Sequence, residues 1–227
     1  MLLPLLCLLL LQSGTARAVS VGQIDDFEDG TKQDWVMGFA PITDSHMTNI
    51  TDGGPAGTGD NYLEVVSDGA FAAGGRLTFF NKSQWTGDYT AAGITSIAMD
   101  LKNFTPNETL NLRLGINNQP GATVGGLFTT SASVSLTSAG GWTRAVFSLL
   151  PRDLVPVSGR SGVTGNDVMA TLANVQELRL LNSASPDWTG SPVVATLGID
   201  NVRAVPLPAA ALLFGSGLMS LGLWRRR

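Results

Sequence analysis

The chain has 227 residues, with a single histidine, a single cysteine and 18 acidic residues against 14 Lys and Arg, for a formal net charge of −4. That balance disfavours nucleic acid and anionic membrane as partners, because both are bound through an excess of Lys and Arg. One cysteine rules out internal disulfides and zinc-thiolate clusters, so the fold must rest on its apolar core, which a chain of this length can supply as one domain.

Residues 1–18, MLLPLLCLLLLQSGTARA, form an apolar run followed by a polar turn and an A-x-A pattern at Ala16, Arg17 and Ala18. This order predicts a secretory signal peptide removed by signal peptidase after Ala18. The apolar run is too short to span about 30 Å of hydrocarbon as a helix. Cys7 lies inside it, which leaves the mature domain without thiols. The stretch 19–204 holds all the acidic residues and ten of the Lys and Arg, so it is more acidic than the whole chain.

Within 19–204, Gly, Thr, Ser and Asn are abundant and apolar residues fall in short alternating runs between turn clusters, an all-β pattern. The clearest predicted strands are Tyr62 to Ser67, Arg76 to Phe80, Ile94 to Lys102, Thr109 to Ile116, Trp142 to Leu149, Glu177 to Leu181 and Thr196 to Ala204. In LNLRLGI, Leu110, Leu112, Leu114 and Ile116 share a core face, while Asn111, Arg113 and Gly115 are expected to meet water. One short helix is predicted, with Asn166 as cap of Asp167 to Ala173. No repeat or linker interrupts the stretch, so it reads as one β-sandwich ectodomain.

The chain closes on VPLPAAALLFGSGLMSLGLWRRR, an apolar segment 207–224 bounded by prolines and by Arg225, Arg226 and Arg227. Such a segment just suffices to cross a bilayer as one transmembrane helix, with the arginines on the cytoplasmic side. Residues 205–227 resemble the PEP-CTERM sorting signal: a V-P-x-P-A motif at Val205, Pro206, Leu207, Pro208 and Ala209, then a glycine-punctuated apolar helix, then an arginine cluster. The resemblance implies export in a Gram-negative bacterium, an inner-membrane-anchored precursor, and an exosortase-type membrane protease as partner. Delivery to the cell envelope or extracellular matrix would follow.

The segments IDDFEDG at Ile24 to Gly30, with Trp35 after it, and GIDNVRA at Gly198 to Ala204 resemble the ends of galactose-binding-like jelly rolls, the sandwich of many carbohydrate-binding modules. In those folds the first and last strands are neighbours and hold a structural calcium. The resemblance implies calcium between Glu28 and Asp200, with Asp26 and Asp60 as further oxygen donors. Sugar binding in such modules uses exposed aromatic faces. Trp35 and Trp142 are expected in the core, whereas Trp85 with Tyr89, and Trp188 in SPDWTGSP, are the candidate platforms.

The sequence has no G-x-S-x-G elbow, H-E-x-x-H helix or phosphate loop, and His46 beside Ser45 and Asp44 reads as a surface residue because adjacent side chains do not converge on one atom. The leading expectation is a non-enzymatic, structural or adhesive exported protein associated with extracellular polysaccharide. The alternative is a carbohydrate-binding module with a defined sugar site. A glycoside-acting enzyme with paired carboxylates ranks below both.

Overall fold

The computed structural model describes residues 18–118, 124–138, 140–159 and 166–206. The expected signal peptide through Arg17 and the expected sorting segment from Leu207 onward, including Pro208, Ala209 and the terminal arginines, lie outside the described residues. Among the described residues no helix is long and apolar enough to cross a membrane.

In chain order the elements are β1 (Ile24–Asp25), β2 (Trp35–Val36), α1 (Ala40–His46), β3 (Met47–Ile50), β4 (Tyr62–Asp68), β5 (Thr78–Asn81) and β6 (Ile94–Asn103). They continue with β7 (Thr109–Asn117), β8 (Leu127–Thr130), β9 (Val134–Thr137), β10 (Thr143–Ser148), β11 (Leu154–Pro156), α2 (Val168–Leu172), β12 (Glu177–Asn182) and β13 (Val194–Pro206). They form two antiparallel sheets. A six-stranded sheet runs β10-β6-β13-β4-β3, with β1 also on β13, and a seven-stranded sheet runs β11-β8-β7-β12-β5-β2, with β9 also on β7.

The first strand does lie on the last: Ile24 faces Arg203 and Asp25 faces Val202. β13 occupies the middle of its sheet, paired with β6 along one edge and with β4 and then β1 along the other. A bulge interrupts its register after Asp200, where Asn201 takes a left-handed φ of 50°. Bulges of this kind re-aim the neighbouring side chain. At its end β13 takes in the first two residues of the expected sorting motif, pairing Val205 with Ser96 and Pro206 with Ile94.

The core forms where the two alternating patterns meet. Leu110, Leu112, Leu114 and Ile116 of β7 pack with Leu178 and Leu180 of β12 against Ile97, Met99 and Leu101 of β6 and Leu197 and Ile199 of β13. Each such side chain contributes about 1.5–3 kcal/mol by leaving water. The outer face of β7, however, is not the wet surface that alternation predicts: Arg113 is 4% exposed. Alternation reports only which face is apolar, and it is blind to a loop that covers the polar one. Two helix readings are also corrected. α2 is capped by Asp167, whose Oδ1 accepts from the N–H groups of Met169 and Ala170, rather than by Asn166. α1 was not foreseen; it starts on Pro41 at its first turn, a position where a missing N–H costs nothing.

Candidate functional site

Trp85 and Tyr89 are fully buried, so the expectation of an exposed platform there is overturned. Trp85 is held at one end of the core with Trp35. The indole N–H groups of Trp35 and Trp85 both donate to Asp25 Oδ2, at 2.7 and 2.6 Å, and Gln84 Nε2 adds a third bond at 3.1 Å. The Tyr89 hydroxyl donates to the Trp85 carbonyl at 2.9 Å. A buried indole needs an acceptor and a buried carboxylate needs donors, and this pairing satisfies both. Burial raises the Asp25 pKa, while the hydrogen bonds from Trp85, Trp35 and Gln84 oppose the rise. Asp25, one residue before the acids singled out from the sequence, is thus a core hub.

Of the expected calcium residues, Glu28 and Asp60 lie close enough to Asp200 for their charges to act on it. Its side chain is buried at 1% exposure, and its two oxygens accept from the N–H and the Nδ2 of Asn201 at 2.6 and 2.8 Å. Burial first, then the charges of Asp60, Asp100 and Glu28, push its pKa up to about 7, against the pull of the Asn201 N–H. Glu28 Oε1 accepts from the Asn61 N–H, Asp60 Oδ2 from the Ala56 N–H, and Asp26 Oδ1 from the Glu28 N–H. Among the described residues, Asp200, Glu28 and Asp60 form no ion pair, and no three His, Cys, Asp or Glu side chains converge as a ready metal cage. The donors themselves, all hard oxygens, are of the kind calcium takes.

Trp142 departs from its expected place in the core. It lies half-buried on the outer face of the six-stranded sheet with Tyr62 and Phe104, ring centroids 5.3 and 6.3 Å away, and its Nε1 donates to the Gly53 carbonyl at 2.9 Å. Gly198 beneath it is bare of necessity: a Cβ there would stand 2.7 Å from Trp142 Cη2 and 2.8 Å from Phe104 Cε2.

The outer face of the seven-stranded sheet holds a denser polar assembly, which sequence reasoning missed except for Trp188. Antiparallel register sets Arg179 of β12 between Gly115 of β7 and Phe80 of β5, and Glu177 beside Asn117. Glu177 is buried and takes an ion pair from Arg179 at 2.5 Å, a second from Lys82 at 3.2 Å, and a hydrogen bond from Asn117 Nδ2 at 3.2 Å. Trp188, 4% exposed, lies over Gly115 with the Arg179 guanidinium 4.2 Å from its ring. Lys82 and Arg179 also stand 4.6 and 5.2 Å from the Phe80 ring. The expectation of an open Trp188 platform is therefore overturned as well, because a cation already covers the indole.

The loop that carries Trp188 is fastened along its length. Arg113 donates to the carbonyls of Ser183 and Ala184, Arg179 to that of Trp188, Thr78 to that of Thr189 and Arg76 to that of Gly190. Arg113 also bonds the Thr130 and Ser131 carbonyls on the other side of its strand. Desolvation lowers its pKa. Near these groups, Asn117 Oδ1, Asn118 Oδ1 and Thr129 Oγ1 are buried and find no hydrogen-bond partner among the described residues. The amide orientations are anchored, since Asn117 Nδ2 and Asn118 Nδ2 donate to Glu177 and to the Val124 carbonyl. Buried polar atoms without partners are uncommon in folded proteins.

Two other features carry less chemistry. An open groove of about 870 Å³ runs past Gln23, Asp29, Thr31, Lys32, Gln33 and Ser83, but Asp29 is satisfied by Thr31 and Lys32 by Asp44. His46 is half-buried rather than on the surface, with Nδ1 2.8 Å from the Val66 carbonyl. Ser45 bonds the Pro41 carbonyl and Asp44 binds Lys32, so the three do not align for nucleophilic catalysis.

With this geometry in view, similarity to solved proteins places the architecture. A family 11 carbohydrate-binding module from Clostridium thermocellum, solved with a β-1,3-1,4-mixed-linked tetrasaccharide, superposes with a TM-score of 0.52 at 16% identity, covering 82% of this chain and 97% of the module. The chain shares the two-sheet β-sandwich fold of this module. An exo-β-agarase superposes with a TM-score of 0.55, also at 16% identity, over 83% of this chain, which spans only 25% of the agarase. A second agarase gives 0.53 at 13% identity over 83% of this chain and 24% of its own. No family profile matches the chain, and no curated protein does so in sequence.

Proposed function

We propose that this chain is an exported, non-catalytic carbohydrate-binding protein whose glycan lies against the outer face of the seven-stranded sheet. The observation that carries the reading is the superposition on nearly the full length of a free-standing module that was solved with a saccharide. The location is supported by the polar assembly of Glu177, Arg179 and the exposed Lys82, the kind of convergent donor and acceptor set that fixes sugar hydroxyls. Recognition there rests on hydrogen bonds more than on stacking, because cations already cover Phe80 and Trp188. The test is affinity electrophoresis of the full chain through gels containing a panel of soluble polysaccharides. Retardation by at least one polymer is expected; migration unaffected by every polymer would remove the reading.

Two further parts of the proposal come from the sequence. Export with a PEP-CTERM-like tail explains the apolar ends and the arginine cluster, and is tested by intact mass and fractionation in hosts with and without an exosortase-type protease. A structural calcium at Glu28, Asp60 and Asp200, with Asp26 nearby, is supported by the uncancelled acids around the buried Asp200. Calcium there would neutralise those charges and tie the first strand to the last.

A further inference from the structure

We propose that the glycan bound on the seven-stranded sheet is anionic, carrying carboxylate or sulfate groups; this rests on the carbohydrate-binding reading above. The ground is the way an acidic chain divides its charges. On the outer face of the six-stranded sheet and the loops against it stand Glu28, Asp60, Glu64, Asp68, Asp100 and Asp200, with Lys102, Arg144 and Arg203 as the nearby cations. On the outer face of the seven-stranded sheet the balance reverses: Arg76, Lys82, Arg113 and Arg179 stand against Glu177 and Asp187.

The cations of this second face are fixed but not cancelled. Arg113 is buried, and its bonds run to the Ser183, Ala184, Thr130 and Ser131 carbonyls, which satisfy its N–H groups and leave its charge in place. Arg76 bonds the Gly190 carbonyl and, among the described residues, has no carboxylate within ion-pair distance. Lys82 and Arg179 share the one carboxylate of Glu177. Positive charge held against low-dielectric walls projects a field outward and draws anions. A neutral glycan gains nothing from that field, whereas carboxylates or sulfates along a chain are drawn by the summed field of these cations and can pair directly with Lys82. Lys82, with a side chain 54% exposed, is the residue of this set most open to direct contact.

The experiment is affinity electrophoresis of the full chain in polygalacturonate, in dextran sulfate and in neutral mixed-linkage β-glucan, at roughly 50 and roughly 500 mM salt. The expected result is retardation by one or both acidic polymers that weakens at high salt, with the two acidic arms telling carboxylate from sulfate recognition. Lys82→Gln is expected to weaken that retardation about fivefold, the size of one solvent-screened ion contact. Lys102→Gln, on the opposite sheet, is expected to leave it unchanged. Retardation by β-glucan alone, or acidic binding to which Lys82→Gln and Lys102→Gln respond equally, would overturn the anionic assignment and leave the carbohydrate-binding reading standing. Failure in all three polymers would count against both.

Discussion

Each sheet seats a tryptophan on its outer face over a bare glycine of a central strand, Trp142 over Gly198 of β13 and Trp188 over Gly115 of β7, and the two seats serve different ends. Trp142 joins Tyr62 and Phe104 in a half-exposed aromatic cluster among acidic side chains. Trp188 is closed in by Arg179 and by a loop whose carbonyls are held by Arg113, Thr78 and Arg76. The first face is fastened by ring packing, which tolerates adjustment. The second is fastened by hydrogen bonds from buried cations, which leave nothing to relax into when one partner is removed.

The sharpest way to break this contrast is Arg113→Ala. Four carbonyls lose their donor at once, and a loss of about 3–5 kcal/mol in denaturant unfolding is expected from several buried acceptors left unsatisfied. Lys102→Ala, which on the other face removes only a contact 4.6 Å from the Phe104 ring, should change stability by less than about 0.5 kcal/mol. If the two variants proved equal, the polar face would not be the rigid one.

A middle-sized effect is expected from Gly198→Val. Its side chain would occupy the space of Trp142 and Phe104, costing about 1–3 kcal/mol, and would raise quenching of tryptophan fluorescence by acrylamide as Trp142 swings out. Unchanged quenching would mean the aromatic cluster shifts as a unit.

The smallest effect concerns pH. Because the Asp200 carboxyl titrates near 7 when folded, well above its ordinary range, its ionisation weakens the fold as pH rises through 7, and the penalty is absent at pH values below the ordinary carboxylate range. With chelator at pH 8, Asp200→Asn should therefore be the more stable protein by on the order of 1 kcal/mol. Millimolar calcium should raise the melting temperature of the wild-type chain and leave Asp200→Asn unmoved. A calcium response that survives the substitution would place the ion elsewhere.

The sandwich was legible because its core depends on alternation, as in the leucines of β7, and alternation survives in the sequence. The pairing of first and last strands was legible through the family resemblance of IDDFEDG and GIDNVRA. The site was much less so. Nothing local distinguishes Asp25 from Asp26, yet one anchors two indoles and the other sits beside a turn. Trp85, Trp142 and Trp188 all follow turn-rich stretches, and their fates are decided by partners 60, 89 and 9 residues away in the chain. Arg113 looked solvated because its strand alternates, and the loop that buries it comes about 70 residues later.

β13 also bears on mechanics. It runs the length of the six-stranded sheet in its middle, and the chain leaves the described fold at its end, Pro206. Tension applied from that end, against a hold on the opposite sheet such as the proposed glycan, would try to slide β13 lengthwise between β6 on one side and β4 and β1 on the other. Its ladders would then have to shear together instead of opening one rung at a time, so along this direction the sandwich would resist force more than it would if pulled apart strand by strand.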